Sequence, residues 1–322
     1  MGDVQALADD APSPATQDVP VPTGGSDLPL ETSWHAAWAR YQGWSHVDSG
    51  VPCQDQVRFR RFQNGTAVGA LADGAGSAHL SHYGAQLLID AASELIASEF
   101  DRIFKATNNL GTIRLEVVGQ LQSILSEAAT TGLDVTDSDR VRLGLPHRDS
   151  SPRLSCEVRD LASTLLLVAV KDERFVALHL GDGVLGTEVV LPSGRKAGRP
   201  LGRPDNGEFA NETTFITSRS AAGALRIYRG RLENKARTIS GFILMSDGPE
   251  GSLYQKRTRT LAPACSKLLE ACRSLPSAVM QEQLEATLKD VIVPRTHDDC
   301  SLVLLAAPHP GVPEPRHVSA TN

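Results

Sequence analysis

Four short acidic signatures stand far apart in the chain: CQDQ at 53–56, LADGAGS at 71–77, LMSDGPEG at 244–251 and HDDCSLVLL at 297–305. Each places an aspartate at the start or end of an apolar, strand-like run, and three of them set it beside a glycine or a second aspartate. A carboxylate in that position sits where backbone turns tightly and side chains from separate strands converge. Oxygen donors without a matching His or Cys cluster suit a hard divalent cation, Mg²⁺ or Mn²⁺, rather than zinc. The chemistry to expect is metal-dependent hydrolysis.

The elements that must position these aspartates are strands, with helices filling the spaces between. An alternating run at 57–62, the Asn64-Gly65 turn and an apolar run at 66–72 read as a hairpin. After the glycine-rich break, Ser81 is placed to cap a helix to about 100, and a second amphipathic helix spans 110–129. Residues 130–158 are polar and charged and read as a long surface loop or insertion. Runs at 162–170, 175–180 and 184–190 read as a meander, with Gly181-Asp182-Gly183 turning the chain into its third run. A Gly-, Pro- and Arg-rich flap at 192–208 follows, then strands at 213–217, 224–228 and 238–246. Helices at 262–273 and 276–290 precede a last strand at 300–306. Clustered helices and strand meanders predict an α+β fold with mainly antiparallel sheet.

The chain has 322 residues, 41% of them hydrophobic, and a formal net charge of −6. Proline-rich, aperiodic ends predict disordered tails at 1–30 and 308–322, leaving one catalytic body at 31–307. An acidic chain without a dense basic block argues against nucleic acid or a membrane as partner. Two local basic runs, 58–61 and 256–259, read either as solvated element ends or as a docking surface for phosphorylated partners. No run approaches the length of a bilayer span, and the start lacks a secretory pattern. Five cysteines without CxxC spacing read as reduced thiols of a cytoplasmic protein. Cys53 and Cys300 lie next to acidic signatures, yet no His and acid are arranged around either as a nucleophile needs. GxxxxGK[ST] and GxGxxG are both absent, which argues against a nucleotide loop at 74–77.

In order and spacing the signatures resemble the protein phosphatase 2C family of metal-dependent serine/threonine phosphatases, in particular its bacterial branch. GWSHVDSGVPCQD, ALADGAGSAHLSHYGA, LGDGVLG, FILMSDGPEG and DDCSLVLL match five of its blocks in sequence, from about 43 to 306. The resemblance implies a four-layer αββα sandwich of two antiparallel sheets flanked by helix pairs. It also implies two divalent cations, Mn²⁺ or Mg²⁺, and a bridging water that attacks phosphorus. By the same resemblance Asp55, Asp73, Asp247 and Asp298 are acidic ligands, Asp73 being the bridge, and Gly74 ligates through its carbonyl. Asp182 matches the position of a looser third metal, although Gly-Asp-Gly also makes a plain tight turn. The register of the last block favours Asp298 over Asp299.

The chain also departs from the family pattern. Gly50 stands where many members carry the arginine that holds the substrate phosphate, Gln54 where glutamate commonly precedes the first aspartate, and Ala75 where animal members have histidine. His46 and His79 are the nearby histidines, His46 being the candidate catalytic one beside Asp73 and Asp247. The expected substrate is a phosphorylated protein opposed by a cognate Ser/Thr kinase. A non-catalytic phosphoprotein-binding module, or a phosphatase of small phosphoesters, are the competing readings.

Overall fold

Two groups of strands separate cleanly in space. The computed structural model describes residues 34–107, 109–146, 151, 153–202 and 213–308. Its elements in chain order are β1 (His35–Tyr41), α1 (Trp44–Ser49), β2 (Gln56–Arg61), β3 (Ala67–Ala72), α2 (Ser81–Lys105), α3 (Leu110–Thr131), α4 (Asp137–Arg142), β4 (Leu165–Lys171), β5 (Arg174–Leu180), β6 (Val184–Val190) and β7 (Lys196–Pro200). There follow α5 (Ala221–Ala224), β8 (Arg226–Arg231), β9 (Glu233–Asn234), β10 (Arg237–Met245), α6 (Asp247–Leu253), β11 (Tyr254–Gln255), β12 (Thr260–Leu261), α7 (Pro263–Ser274), α8 (Ser277–Ala286) and β13 (Cys300–Ala306). The expected tails fall outside the described residues, apart from Pro308.

One sheet has the order β1-β13-β10-β6-β7, with β9 beside the start of β10, and the other runs β2-β3-β4-β5-β8. Every pairing is antiparallel. Leu71, Val168, Phe175, Phe242, Leu244 and Val303 fill the space between the sheets. Behind the second sheet, α2 and α3 pack through Leu88, Ile96, Phe100 and Leu121 onto Val68 and Ala70. Behind the first, α7 and α8 pack through Leu269, Met280 and Leu284 onto Ile243 and Leu304. The result is the expected four-layer αββα sandwich. With helices on one face and sheet on the other, β3 and β4 are apolar at every buried position, so a period-2 signal is absent from them.

Several local expectations are corrected. The runs at 162–190 are no single-sheet meander: β4 and β5 pair with each other, whereas Gly181-Asp182-Gly183 carries the chain across to β6 in the other sheet. Ser81 does not cap α2. It is the first helical residue, and its hydroxyl accepts instead from Gln54 Nε2 at 2.7 Å. The 43–50 block holds a short helix, α1. The 130–158 segment is less irregular than a loop: it contains α4 and closes through a β-bridge between Leu133 and Leu154. Residues 213–217 are coil and turn rather than strand. Part of the flap is strand β7, paired with β6, and positions 203–212 lie outside the described residues. The helix expected at 276–290 ends at Ala286 and continues as a π-turn, Thr287–Ile292.

Candidate metal centre

The acidic signatures come together because strand ends do. The β2–β3 ladder closes at Gln56 opposite Ala72, which leaves Asp55 and Asp73 as the next residue on each strand. The β10–β6 ladder closes at Met245 opposite Val184, and Asp247 and Asp182 lie two residues beyond on either side. β13 runs between β1 and β10 with Asp298 just before it.

Local hydrogen bonds fix the Asp73 loop. Asp73 N donates to Thr164 Oγ1 at 3.0 Å, Thr164 N donates to the Asp73 carbonyl at 2.8 Å, and Ala75 N donates to the Ala162 carbonyl at 2.9 Å. Gly74 forms a bridge with Ser163 in the same segment. A Cβ on Gly74 would stand 2.7 Å from Ser81 Oγ and 3.0 Å from the Gln54 carbonyl, so only glycine lets the three segments close up here. Asp182 Oδ2 accepts from Thr213 Oγ1 at 2.5 Å.

These carboxylates share one electrostatic neighbourhood. Burial, then the charges of Asp55, Asp247, Asp182 and Asp298, hold the Asp73 carboxyl well above the usual range. Burial and then Asp299 push Asp55 up to about 7, and burial followed by Asp298 and Asp182 push Asp247 to about 7. Asp55 is 1% exposed. The Ser246 and Ser301 hydroxyls are near enough to moderate its charge, yet neither Oδ atom has a hydrogen-bond partner of proper geometry. A buried carboxylate left in that state is costly unless a cation or ordered water meets it.

Among the described residues, no three His, Cys, Asp or Glu side chains close around a single point as a cage would. A cation such as Mg²⁺ needs no such cage, since it keeps several waters and takes only one or two carboxylates. The donor set of separate aspartates beside a backbone carbonyl fits that kind of ion. Burial raises the thiols of Cys53 and Cys300, and the aspartates around them raise both further, so neither is a thiolate nucleophile.

The adjacent aspartates of the last signature differ in their surroundings. Asp298 is exposed and Asp299 is buried. Asp299 Oδ1 accepts from Gly43 N at 2.8 Å and Oδ2 from Gln54 N at 2.6 Å, tying the first acidic loop to β13. His46 Nδ1 lies 2.9 Å from Asp299 Oδ2, close enough for an ion pair, although the alignment falls short of a hydrogen bond. His79 is exposed. Sequence reasoning missed Asp299 as an organiser because a buried acceptor of backbone N–H groups leaves no mark on spacing. It equally missed Gln54, whose amide reaches Ser81 Oγ and the Ala78 carbonyl at 3.3 Å and so stitches the first two signatures together. Gly50 has its own local cause: it caps α1 in the left-handed region at φ 67°.

The profile of the protein phosphatase 2C family matches residues 42–289. Serine/threonine-protein phosphatase 3 of Escherichia coli is 26% identical over 289 residues, which is 84% of this chain and 98% of that protein. A crystal structure of a bacterial serine phosphatase with a point substitution superposes at a TM-score of 0.50 and 13% identity, covering 86% of this chain and 99% of its own. The catalytic domain of serine threonine protein phosphatase PstP, in complex with two manganese ions, superposes at 0.48 and 15% identity, covering 85% and 98%. The profile match takes in three of the acidic signatures, the strand-end carboxylates Asp55, Asp73, Asp182 and Asp247 and most of the sandwich, and on it the chain belongs to the protein phosphatase 2C family of phosphoprotein phosphatases.

Proposed function

We propose that this protein hydrolyses phosphoserine and phosphothreonine esters on proteins and that it does so with two divalent cations, Mn²⁺ or Mg²⁺. The observation that carries this reading is the convergence of five aspartates on one end of the sandwich, among them Asp55, buried with neither carboxylate oxygen in a hydrogen bond of proper geometry. Asp73 is assigned as the shared carboxylate, with Asp55, Asp247, Asp298 and the Gly74 carbonyl completing the set. Asp182, held by Thr213, is assigned to a third, looser ion. Such cations supply Lewis-acid activation of a water for in-line attack at phosphorus.

The chain's own residues do the positioning. Asp299 draws the first acidic loop onto β13, and Thr164 locks the Asp73 loop against β4, so the carboxylates are pre-placed before substrate arrives. Without counter-cations the same carboxylates would repel a dianionic phosphate. With both nearby thiols held protonated, direct attack by water without a covalent phosphoenzyme is the consistent route. His46, steadied by Asp299, is assigned to protonating the departing alkoxide.

Asp73→Asn and Asp247→Asn are each expected to lower kcat on a phosphoserine peptide by about three orders of magnitude or more, with Mn²⁺ affinity by calorimetry falling in parallel. Full activity in either purified variant would sink the assignment. No Mn²⁺ uptake by wild type would favour a non-catalytic binding module. Replacing His46 by Ala should slow the peptide more than p-nitrophenyl phosphate, whose good leaving group needs no proton.

A further inference from the structure

The centre absorbs the acidic signatures but leaves one basic element beside them unexplained. α6 opens on Asp247 and ends at Leu253, and β11 follows at once, pairing Tyr254 with Leu261 and Gln255 with Thr260 on β12. The connection between these strands carries Lys256, Arg257 and Arg259, all exposed.

This turn is built rather than loose. Arg259 N donates to the Gln255 carbonyl at 2.8 Å, and Arg259 itself sits in the left-handed region at φ 55°, uncommon for a residue with a side chain. Thr258 Oγ1 lies 2.7 Å from Gln255 Oε1 and 2.8 Å from Thr260 Oγ1. Lys256 Nζ pairs at 2.7 Å with Glu250 Oε2, one helical turn after Asp247, which pins the turn to the helix that carries the carboxylate. Glu250 first, and then Asp247 and Asp182, hold the Lys256 ammonium above the usual lysine range, so the turn lies within electrostatic reach of the centre.

The arginines of the other basic run have structural partners of a kind that Arg257 and Arg259 lack. Arg58 pairs with Asp90, Arg60 pairs with Glu94 at 2.6 Å, and Arg61 donates to the Trp34 carbonyl, all holding β2 to its neighbours. Among the described residues, Arg257 and Arg259 have no ion-pair partner. Two guanidinium groups presented on a rigid turn match carboxylates in shape and charge.

We infer that Arg257 and Arg259, on the turn anchored by Lys256 and Glu250, bind acidic side chains that flank the phosphorylated residue of the substrate. This rests on the phosphatase reading above. A seven-residue helix spans about 10 Å. An extended peptide covers about 3.3 Å per residue, so the preferred acid lies roughly three positions from the phosphoserine.

The test compares wild type with Arg257→Glu/Arg259→Glu on matched phosphoserine peptides bearing Glu or Lys at that position. Wild type should favour the Glu peptide in kcat/KM, and the double variant should lose or invert that preference, the ratio changing about tenfold. The wild-type preference should also shrink as salt rises from 50 to 300 mM, roughly halving the Debye length. An unchanged ratio in the variant overturns the inference. So does a loss that is equal for both peptides and p-nitrophenyl phosphate, since the charges would then act on the metal centre. If wild type turns over none of these substrates, it is the phosphatase reading that fails. Fluorescence anisotropy with the labelled Glu peptide then decides the docking claim by itself: weaker binding by the double variant supports it, and equal binding overturns it.

Discussion

Asp299 shows how much of this centre depends on a side chain that holds other segments in place. It accepts from two backbone N–H groups, Gly43 and Gln54, and faces His46, so one carboxylate fixes the loop bearing Asp55, the start of α1 and the end of the 297–299 turn. Replacing it by Ala would leave two buried donors without acceptors, at about 1–3 kcal/mol for each such group. We expect Asp299→Ala to lower the midpoint of urea unfolding at unchanged slope, and to weaken Mn²⁺ binding although it removes no assigned ligand. Wild-type stability together with wild-type Mn²⁺ affinity would show that the loop is held by other means. Asp298, its exposed neighbour, is expected to affect metal affinity with little effect on stability. The order of the five blocks made the acidic residues legible and favoured Asp298 over Asp299 as ligand, whereas the part Asp299 plays as a buried acceptor was not legible, because burial and the direction of a side chain depend on what packs above it.

The strongly periodic helices and the Asn64-Gly65 hairpin were legible in the sequence because their signals are local: α2 and α3 contain the apolar stripes that mark them, and Asn64 Oδ1 accepts from Thr66 N in the turn. The crossing from β5 to β6 was not, since both strands are buried along nearly their whole length and nothing local says which sheet each joins. Close approach between elements is equally invisible. Gly84 lies inside α2, where alanine would ordinarily stabilise a helix by about 0.5–1 kcal/mol. A Cβ there would collide with the backbone of Leu161, in the turn that leads to the 162–164 segment supporting Asp73. Gly84→Ala is therefore expected to destabilise by about 1–3 kcal/mol, against the propensity scale. It should also slow catalysis by displacing that support. Thermal unfolding and kcat decide the matter: a variant more stable than wild type would mean that α2 does not press on Leu161.

At the scale of the whole molecule, the sandwich brings like charges together at one end and depends on cations to offset them. Asp55 and Asp247 titrate near 7 in the fold, above the ordinary carboxylate range. Below about pH 4 they are protonated whether the chain is folded or not, so they cost nothing there. Between about 4 and 7 the unfolded chain releases these protons while the fold retains them, so the metal-free protein loses stability as pH rises through that window. Above 7 the full electrostatic cost remains, and metal binding removes it while no longer competing with protons. A cation at a hundred times its Kd stabilises by about 2.7 kcal/mol. For a body of this size that corresponds to a rise of roughly 5–10 °C in Tm. The increment in Tm produced by Mn²⁺, measured against an EDTA-treated sample at each pH, should therefore be near zero at pH 5 and largest at pH 7.5 to 8. Reading the increment rather than Tm itself cancels the titration of every carboxylate remote from the centre. An increment independent of pH, or greatest at pH 5, would mean that the cation does not relieve the repulsion among these aspartates.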